Sequence, residues 1–346
     1  MKTLDRSPLA QLTLARLRLF FREPSTVFWS FAFPIILTIA LGIAFRARPP
    51  DPVTVAVEDG PGAAEVRAAL AAGRDVRVEV LSPEQARAAL RVGRVAVVVV
   101  PAARPVLRFD PTRPESRLAH AVVDDLLERA AGRKDVLAPA EEPVMEPGSR
   151  YVDFLVPGLV GVNVMSTGMW GIGYTIVEAR SKKLLKRMVA TPMRRGHFLL
   201  SFVIVRLLFL ALEVPLLVCF GMLAFGIPLR GPIAALALVN LAGALAFAGL
   251  GLLVSSRARN TQTVSGLINL VMMPMFLLSG VFFPSDRFPA FLQPLIRALP
   301  LTALNDGMRA VMNEGAGLAA VAPQSALLAG VGAATFAVAL RLFRWS

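Results

Sequence analysis

Six apolar stretches dominate this chain: Ser25 to Phe45, Val152 to Val177, Leu199 to Phe225, Ile233 to Val254, Thr263 to Phe283 and Val321 to Phe343. Each reaches the ~20 residues that a helix needs to cross the hydrocarbon of a bilayer. No water reaches a backbone in lipid, so such stretches must be helices whose peptide groups bond to one another. A hydrophobic share of 55% agrees, being too high for a soluble domain. The expected fold class is an α-helical membrane protein with six transmembrane helices. No small-residue cleavage site follows Val27 to Phe45, so that run is expected to remain as a signal anchor.

The net charge of +13 raises the question of nucleic acid, and its placement answers it. Arg46 to Arg150 holds sixteen basic and sixteen acidic residues. The excess therefore belongs to the segments between the spans. The N-tail, the Glu178 to Phe198 segment, the Ser255 to Asn260 loop and the C-tail together carry sixteen basic residues against three acids. The segments on the other face carry four of each: Arg230, Arg287, Arg297 and Arg309 against Asp153, Asp286, Asp306 and Glu314. By the positive-inside rule both termini and the 178–198 segment are expected in the cytoplasm of a cell with an inner membrane. The partner implied by this charge is membrane lipid, with no nucleic acid.

That topology puts 46–150 outside as an inserted α/β extracytoplasmic domain. Val53 to Val57, Val76 to Leu81, Val95 to Val100 and Val106 to Phe109 have strand composition. Ala63 to Ala72, a helix opened by the capping box Ser82-Pro83-Glu84-Gln85, and Glu115 to Ala131 alternate with them in βαβαββα order. A Pro-rich linker, Leu137 to Gly148, leads back to the membrane. Residues 1–24 are expected to form an interfacial amphipathic helix from Pro8, with Ala10, Leu14, Leu17 and Phe21 on one stripe and Gln11, Arg18 and Arg22 on another. The map is then 1–24, first span 25–45, outer domain 46–150, and 151–346 for spans two to six. The last part includes an elbow at 178–198 and an outer re-entrant hairpin at 284–300, whose apolar piece Phe291 to Leu299 is too short to cross.

Chemistry is sparse. The phosphate loop G-x-x-x-x-G-K-[ST] does not occur, nor does a G-x-S-x-G elbow, so the chain is not expected to be an enzyme. His120 and His197 fall on opposite sides, and Cys219 stands alone, so no metal site is expected. Glu213 lies mid-span in the third stretch with Arg206 seven residues earlier. About 10 Å of axial rise separates them, so direct contact is not expected. Glu213 is either an interhelical hydrogen-bonding group, a support for the bend at Pro215, or a pathway carboxylate. Asn163, Asn240 and Asn269 are the usual glue between membrane helices. Met272-Met273-Pro274-Met275-Phe276 combines adaptable thioethers with a helix-breaking proline, suited to packing or to an apolar cavity.

EARSKKLLKRMVATPMRRGHF, from Glu178 to Phe198, holds seven Lys or Arg and one acid between two spans. Glu178 to Val189 has helical spacing, with Lys182, Lys183, Lys186 and Arg187 largely on one side. Thr191-Pro192 then restarts a helix as N-cap and first residue, with Arg194 and Arg195 in its opening turns. The order Glu178, Lys182-Lys183-Leu184-Leu185-Lys186-Arg187, Ala190-Thr191-Pro192 and Arg194 resembles the signature between the second and third spans of ABC-2 type exporter permeases. Lys-Lys-Leu-Leu-Lys-Arg stands where that family has a Gly-Thr-Leu-Glu patch, which is not matched. The layout of spans, the inserted domain and Phe282-Phe283-Pro284 before an outer hairpin resemble the multidrug and lipid-like export branch.

The resemblance implies a permease subunit that moves a hydrophobic or amphipathic substrate out of the cytoplasm or inner leaflet. It implies a dimer of permeases with separate ABC ATPase subunits, which hold the ATP and Mg while this chain binds no cofactor. It makes Glu178, Lys182, Lys183, Lys186, Arg187, Thr191, Pro192, Arg194 and Arg195 the coupling residues. A substrate path between permeases, lined by the second and fifth spans, would involve Asn163, Met165, Met272, Met275 and Phe276, with Glu213 nearby. Alternatives are a membrane sensor or phage-receptor-like protein whose outer domain binds a ligand, and a proton-coupled transporter using Glu213 as relay. An enzyme of lipid or cell-wall precursors would need clustered acids or histidines, which the sequence does not offer.

Overall fold

The computed structural model describes residues 8–44, 52–73, 75–134, 137, 148, 150–183 and 195–342, with backbone alone at 8, 26 and 195–200. The chain divides into two compact units, Met1–Arg46 with Met145–Ser346, and Ala47–Val144.

Helix α1, Pro8–Arg22, ends at the break before Pro24. Its half-buried side is Leu9, Leu12, Thr13, Arg16, Leu17 and Phe20, while Leu14 and Phe21 are exposed. Of the apolar stripe, Ala10 and Leu17 are half-buried too. Aromatic fit sets the contacts this helix makes. Phe20 sits 4.0 Å from the Phe209 ring, and the Arg16 guanidinium lies 3.3 Å above Phe202 while its Nε donates to Ser201 Oγ at 3.0 Å. Burial pushes the Arg16 guanidinium down to about 10. Helix α2, Phe28–Ala44, is apolar but shorter than the helices judged long enough to span. It opens with a π-helical turn at Phe28–Ala32 just before Pro34, which cannot donate a backbone hydrogen bond.

The second unit is a four-stranded sheet in the order β2-β1-β3-β4, with β1 (Val53–Glu58), β2 (Val76–Leu81), β3 (Val97–Val100) and β4 (Val106–Phe109). Pairing of β1 with β2 and β3 is parallel, Val55 lying opposite Val78 and Val97, and β4 returns antiparallel to β3. Central strands of parallel sheets are covered on both faces and read as unbroken β-branched runs; β3 is four valines. Helices α3 (Ala63–Ala71) and α5 (Pro114–Ala130) cover one face through Leu70, Ala119 and Val123. Helix α4 (Pro83–Val92) covers the other through Ala86 and Ala89, and Ser82 and Gln85 cap it reciprocally. Arg108 donates to buried Glu58 at 2.6 Å. His120 is half-buried, 4.3 Å from the Phe109 ring.

Among the described residues, five helices are long and apolar enough to cross a membrane: α6 (Tyr151–Ser181), α7 (its apolar part Ser201–Phe225, the helix beginning at Arg195), α8 (Ile233–Ser255), α9 (Thr261–Leu278) and α12 (Ala322–Leu342). Between α9 and α12 lie α10 (Gln293–Ala298) and α11 (Pro300–Met312). Helix α11, which the hydropathy reading passes over, is buried along nearly its whole length, with Leu301, Leu304, Asn305, Met308, Val311 and Met312 all fully covered. Thirteen residues interrupted by Asn305, Asp306 and Arg309 are too short and polar to register as a span.

Helix α8 packs against α6, α7, α11 and α12. Lipid supplies little hydrophobic force between helices, so close packing through small residues carries the association. A Cβ added to Gly251 would lie 3.0 Å from Gly168 O and 3.2 Å from Met169 Cα, both backbone of α6. We expect Gly251→Val to cost about 1–3 kcal/mol by overpacking, read as a lowered unfolding midpoint of the purified full chain in detergent. Wild-type stability in that variant would show that the two backbones are free to part.

Candidate functional site

The helices on either side of the elbow, α6 and α7, are joined by a polar cluster at mid-bundle. Arg206 Nη1 donates to Glu213 Oε2 at 3.1 Å, and both side chains are buried. Arg206 Nη2 reaches Val164 O of α6 at 3.1 Å. Thr167 Oγ1 donates to Asn163 O at 2.8 Å and lies 3.3 Å from Glu213 Oε2. The expectation that Arg206 and Glu213 stand too far apart for contact is thus corrected. Seven residues are two turns and leave both on nearly one face, and helix geometry tilts Glu213 back toward Arg206. The long Arg stem covers the rest, driven by the cost of leaving either charge alone in an apolar interior.

Among the expected pathway residues, Asn163 and Met165 are buried within the bundle, and Asn163 Nδ2 has no hydrogen-bond partner among the described residues. Met275 belongs to the same buried cluster as Met165. Met272 and Phe276 are half-buried on α9, and the Phe276 ring packs edge-on against Phe282 at 5.1 Å. Asn240 is buried and donates to Leu236 O of its own helix, whereas Asn269 is exposed on α9.

At the elbow, α6 ends at Ser181, a turn follows, and Lys183 adopts φ 56°. Lys182 N and Lys183 N close onto Glu178 O and Arg180 O at 3.0 Å each. The helical run expected from Glu178 to Val189 is therefore broken at Lys183. A left-handed residue ends an α-helix by satisfying its last carbonyls, and apolar periodicity does not register it. Glu178 Oε1 accepts from Lys182 Nζ at 2.8 Å on the exposed face. This hydrogen bond holds the Lys182 ammonium above its ordinary range. Of the other expected coupling residues, Lys186, Arg187, Thr191, Pro192 and Arg194 lie outside the described residues, and Arg195 opens α7.

Two arginines that the charge count treats only as topology markers each hold several backbone carbonyls. Arg180 donates to Ser255 O at 3.0 Å, Ala258 O at 2.8 Å and Ser256 O at 3.4 Å. Arg309 of α11 donates to Phe154 O twice at 3.2 Å and to Gly280 O, with its guanidinium 3.6 Å from the Phe154 ring centre. Tyr151 Oη to Phe282 O at 2.8 Å and Asn305 Nδ2 to Ser279 O at 3.0 Å join the same turn. The available signal was the three-and-four spacing of Leu301, Leu304, Met308 and Val311, which marks a helix with a buried face and brings Arg309 with it.

Comparison with known proteins follows this architecture. The ABC transporter G family member 20 of Dictyostelium discoideum is 26% identical over 172 residues, 50% of this chain and 24% of that protein. The probable multidrug ABC transporter permease YbhR of Escherichia coli K12 is 24% identical over 160 residues, 46% of this chain and 44% of the relative. The linearmycin resistance permease protein LnrN of Bacillus subtilis 168 is 26% identical over 176 residues, 51% and 46% respectively. The chain spans less than half the length of these relatives. The ABC-2 family transporter protein pattern matches residues 133–341, which takes in α6 to α11, nearly all of α12 and the elbow. With more than half of its residues inside that match, this chain belongs to the ABC-2 family of transporter proteins.

Proposed function

We propose that this chain is the membrane permease of an ATP-driven exporter for a hydrophobic or amphipathic substrate, paired with a second permease copy. Separate ATPase subunits would hold the ATP and Mg. The observation that carries the reading is the family match across both helices that flank the elbow. The exposed Glu178–Lys182 face at the end of α6 supports it. In this reading the elbow docks on the ATPase through Glu178, Lys182, Lys183, Lys186, Arg187, Thr191, Pro192, Arg194 and Arg195, and both termini face the cytoplasm. ATP-driven closure displaces the end of α6 and the start of α7, and the Arg206–Glu213–Thr167 cluster keeps the two helices moving as one. Glu213 then serves as a structural group, since its carboxylate holds Arg206, whose other nitrogen reaches Val164 O of α6. The path for substrate would run along α6 and α9, with Asn163, Met165, Met272, Met275 and Phe276 nearest to it.

Reversing charge at Lys182, Lys183 and Arg187 together tests the docking face. We expect at least tenfold less ATPase co-purifying with the triple Glu variant, while its membrane insertion and folded yield match the unaltered chain. Equal recovery of the ATPase would remove the elbow from the coupling role.

A further inference from the structure

The last turn of α6 has two chemically different sides. Glu178 and Lys182, four residues apart, share one side and pair with each other in the open. Arg180, two residues from each, projects from the opposite side and grips the connection between α8 and α9. That connection is short and its carbonyl-bearing residues are buried where Arg180 meets them: Ser255, Ser256 and Ala258 are exposed by 0%, 2% and 4%, while Arg257, Arg259 and Asn260 between and beyond them are exposed. The final carbonyls of a helix have no N–H of their own to receive. Ser255 and Ser256 cannot help, because their hydroxyls donate back to Leu252 O and Leu253 O. The Arg180 fork supplies donors to the carbonyls of Ser255, Ser256 and Ala258, and its positive charge suits a helix C-terminus. Two residues beyond Ala258, Asn260 Oδ1 accepts from Thr263 N at 2.7 Å and opens α9.

Helix α9 is held at its ends more than along its length. Only Val264, Ile268 and Met275 of its eighteen residues are buried. At the far end Asn305, Arg309 and Tyr151 hold the carbonyls of Ser279, Gly280 and Phe282. At the near end Arg180 holds the loop that leads into it.

We infer that Arg180 is a positioning residue that passes displacement of the α6 elbow to the head of α9, across the 255–258 connection, without itself touching the ATPase. This rests on the elbow being the docking site proposed above. A fork that meets divergent carbonyls transmits both push and twist, whereas a lysine ammonium is a point charge without that fixed geometry.

The test uses the full chain with its ATPase in lipid nanodiscs, comparing hydrogen exchange without nucleotide and after trapping with ATP and vanadate. In the unaltered complex both 176–183 and 256–264 are expected to change on trapping. In Arg180→Met the change at 176–183 persists, while that at 256–264 falls at least fivefold and the ATPase still co-purifies. Arg180→Lys, which keeps the charge and guards against simple fraying of the loop at rest, is expected to show less than half the unaltered response. A full response at 256–264 in either variant, with 176–183 responding normally, overturns the inference and leaves the docking reading intact. No response at 176–183 in the unaltered complex overturns both.

Discussion

Glu213→Ala is expected to destabilise the chain by about 3–5 kcal/mol, the range for stranding one member of a buried ion pair. Arg206 would then keep its charge deep in the bundle, with Val164 O as its remaining acceptor among the described residues. Replacing both residues by Arg206→Met with Glu213→Leu should recover stability to within about 1 kcal/mol of the unaltered chain, because apolar side chains of similar volume substitute well for such pairs. Equilibrium unfolding of the purified full chain in mixed micelles, with Arg206→Met and Glu213→Leu alone as the single variants, completes the cycle. If the double variant is no more stable than Glu213→Leu alone, the two side chains are not energetically coupled.

Arg309→Met is the second large effect, at about 2–4 kcal/mol. Gly280 stands at φ 66°, where the chain has left α9 but is still enclosed, with Val281 only 1% exposed. Losing the guanidinium orphans Gly280 O, at about 1–3 kcal/mol for a buried acceptor. Loss of the Phe154 stack adds about 0.5–2 kcal/mol. Arg309→Lys should restore less than half, since one ammonium cannot serve Phe154 O and Gly280 O while lying over the ring. Faster hydrogen exchange confined to 279–284 accompanies the loss. Full rescue by lysine would mean that charge alone, and not the fork, holds this turn.

Legibility followed physical scale. Val152 to Val177 and Ile233 to Val254 stand out because each residue contributes independently to transfer from water, so a window sum suffices. The capping box at Ser82 to Gln85 was readable for a similar reason, its partners being three residues apart. Helix α11 escaped because its burial comes from neighbours, α8 and α6, that no local window contains. The contact of α1 with Phe209 was not readable either, because the two rings lie almost two hundred positions apart.

Arginine shows where the reading stops. By charge Arg180, Arg206 and Arg309 are alike. The first spans a loop seventy-five residues distant, the second folds along its own helix, and the third braces a turn twenty-nine residues before it. By itself the sequence determined the membrane class, the apolar helices and the basic elbow, because hydropathy and net charge are sums over neighbouring residues. Only the tertiary structure decided which cations hold which carbonyls and where the elbow helix stops. Those outcomes depend on hydrogen-bond geometry, which is short-ranged in space and unconstrained in sequence distance.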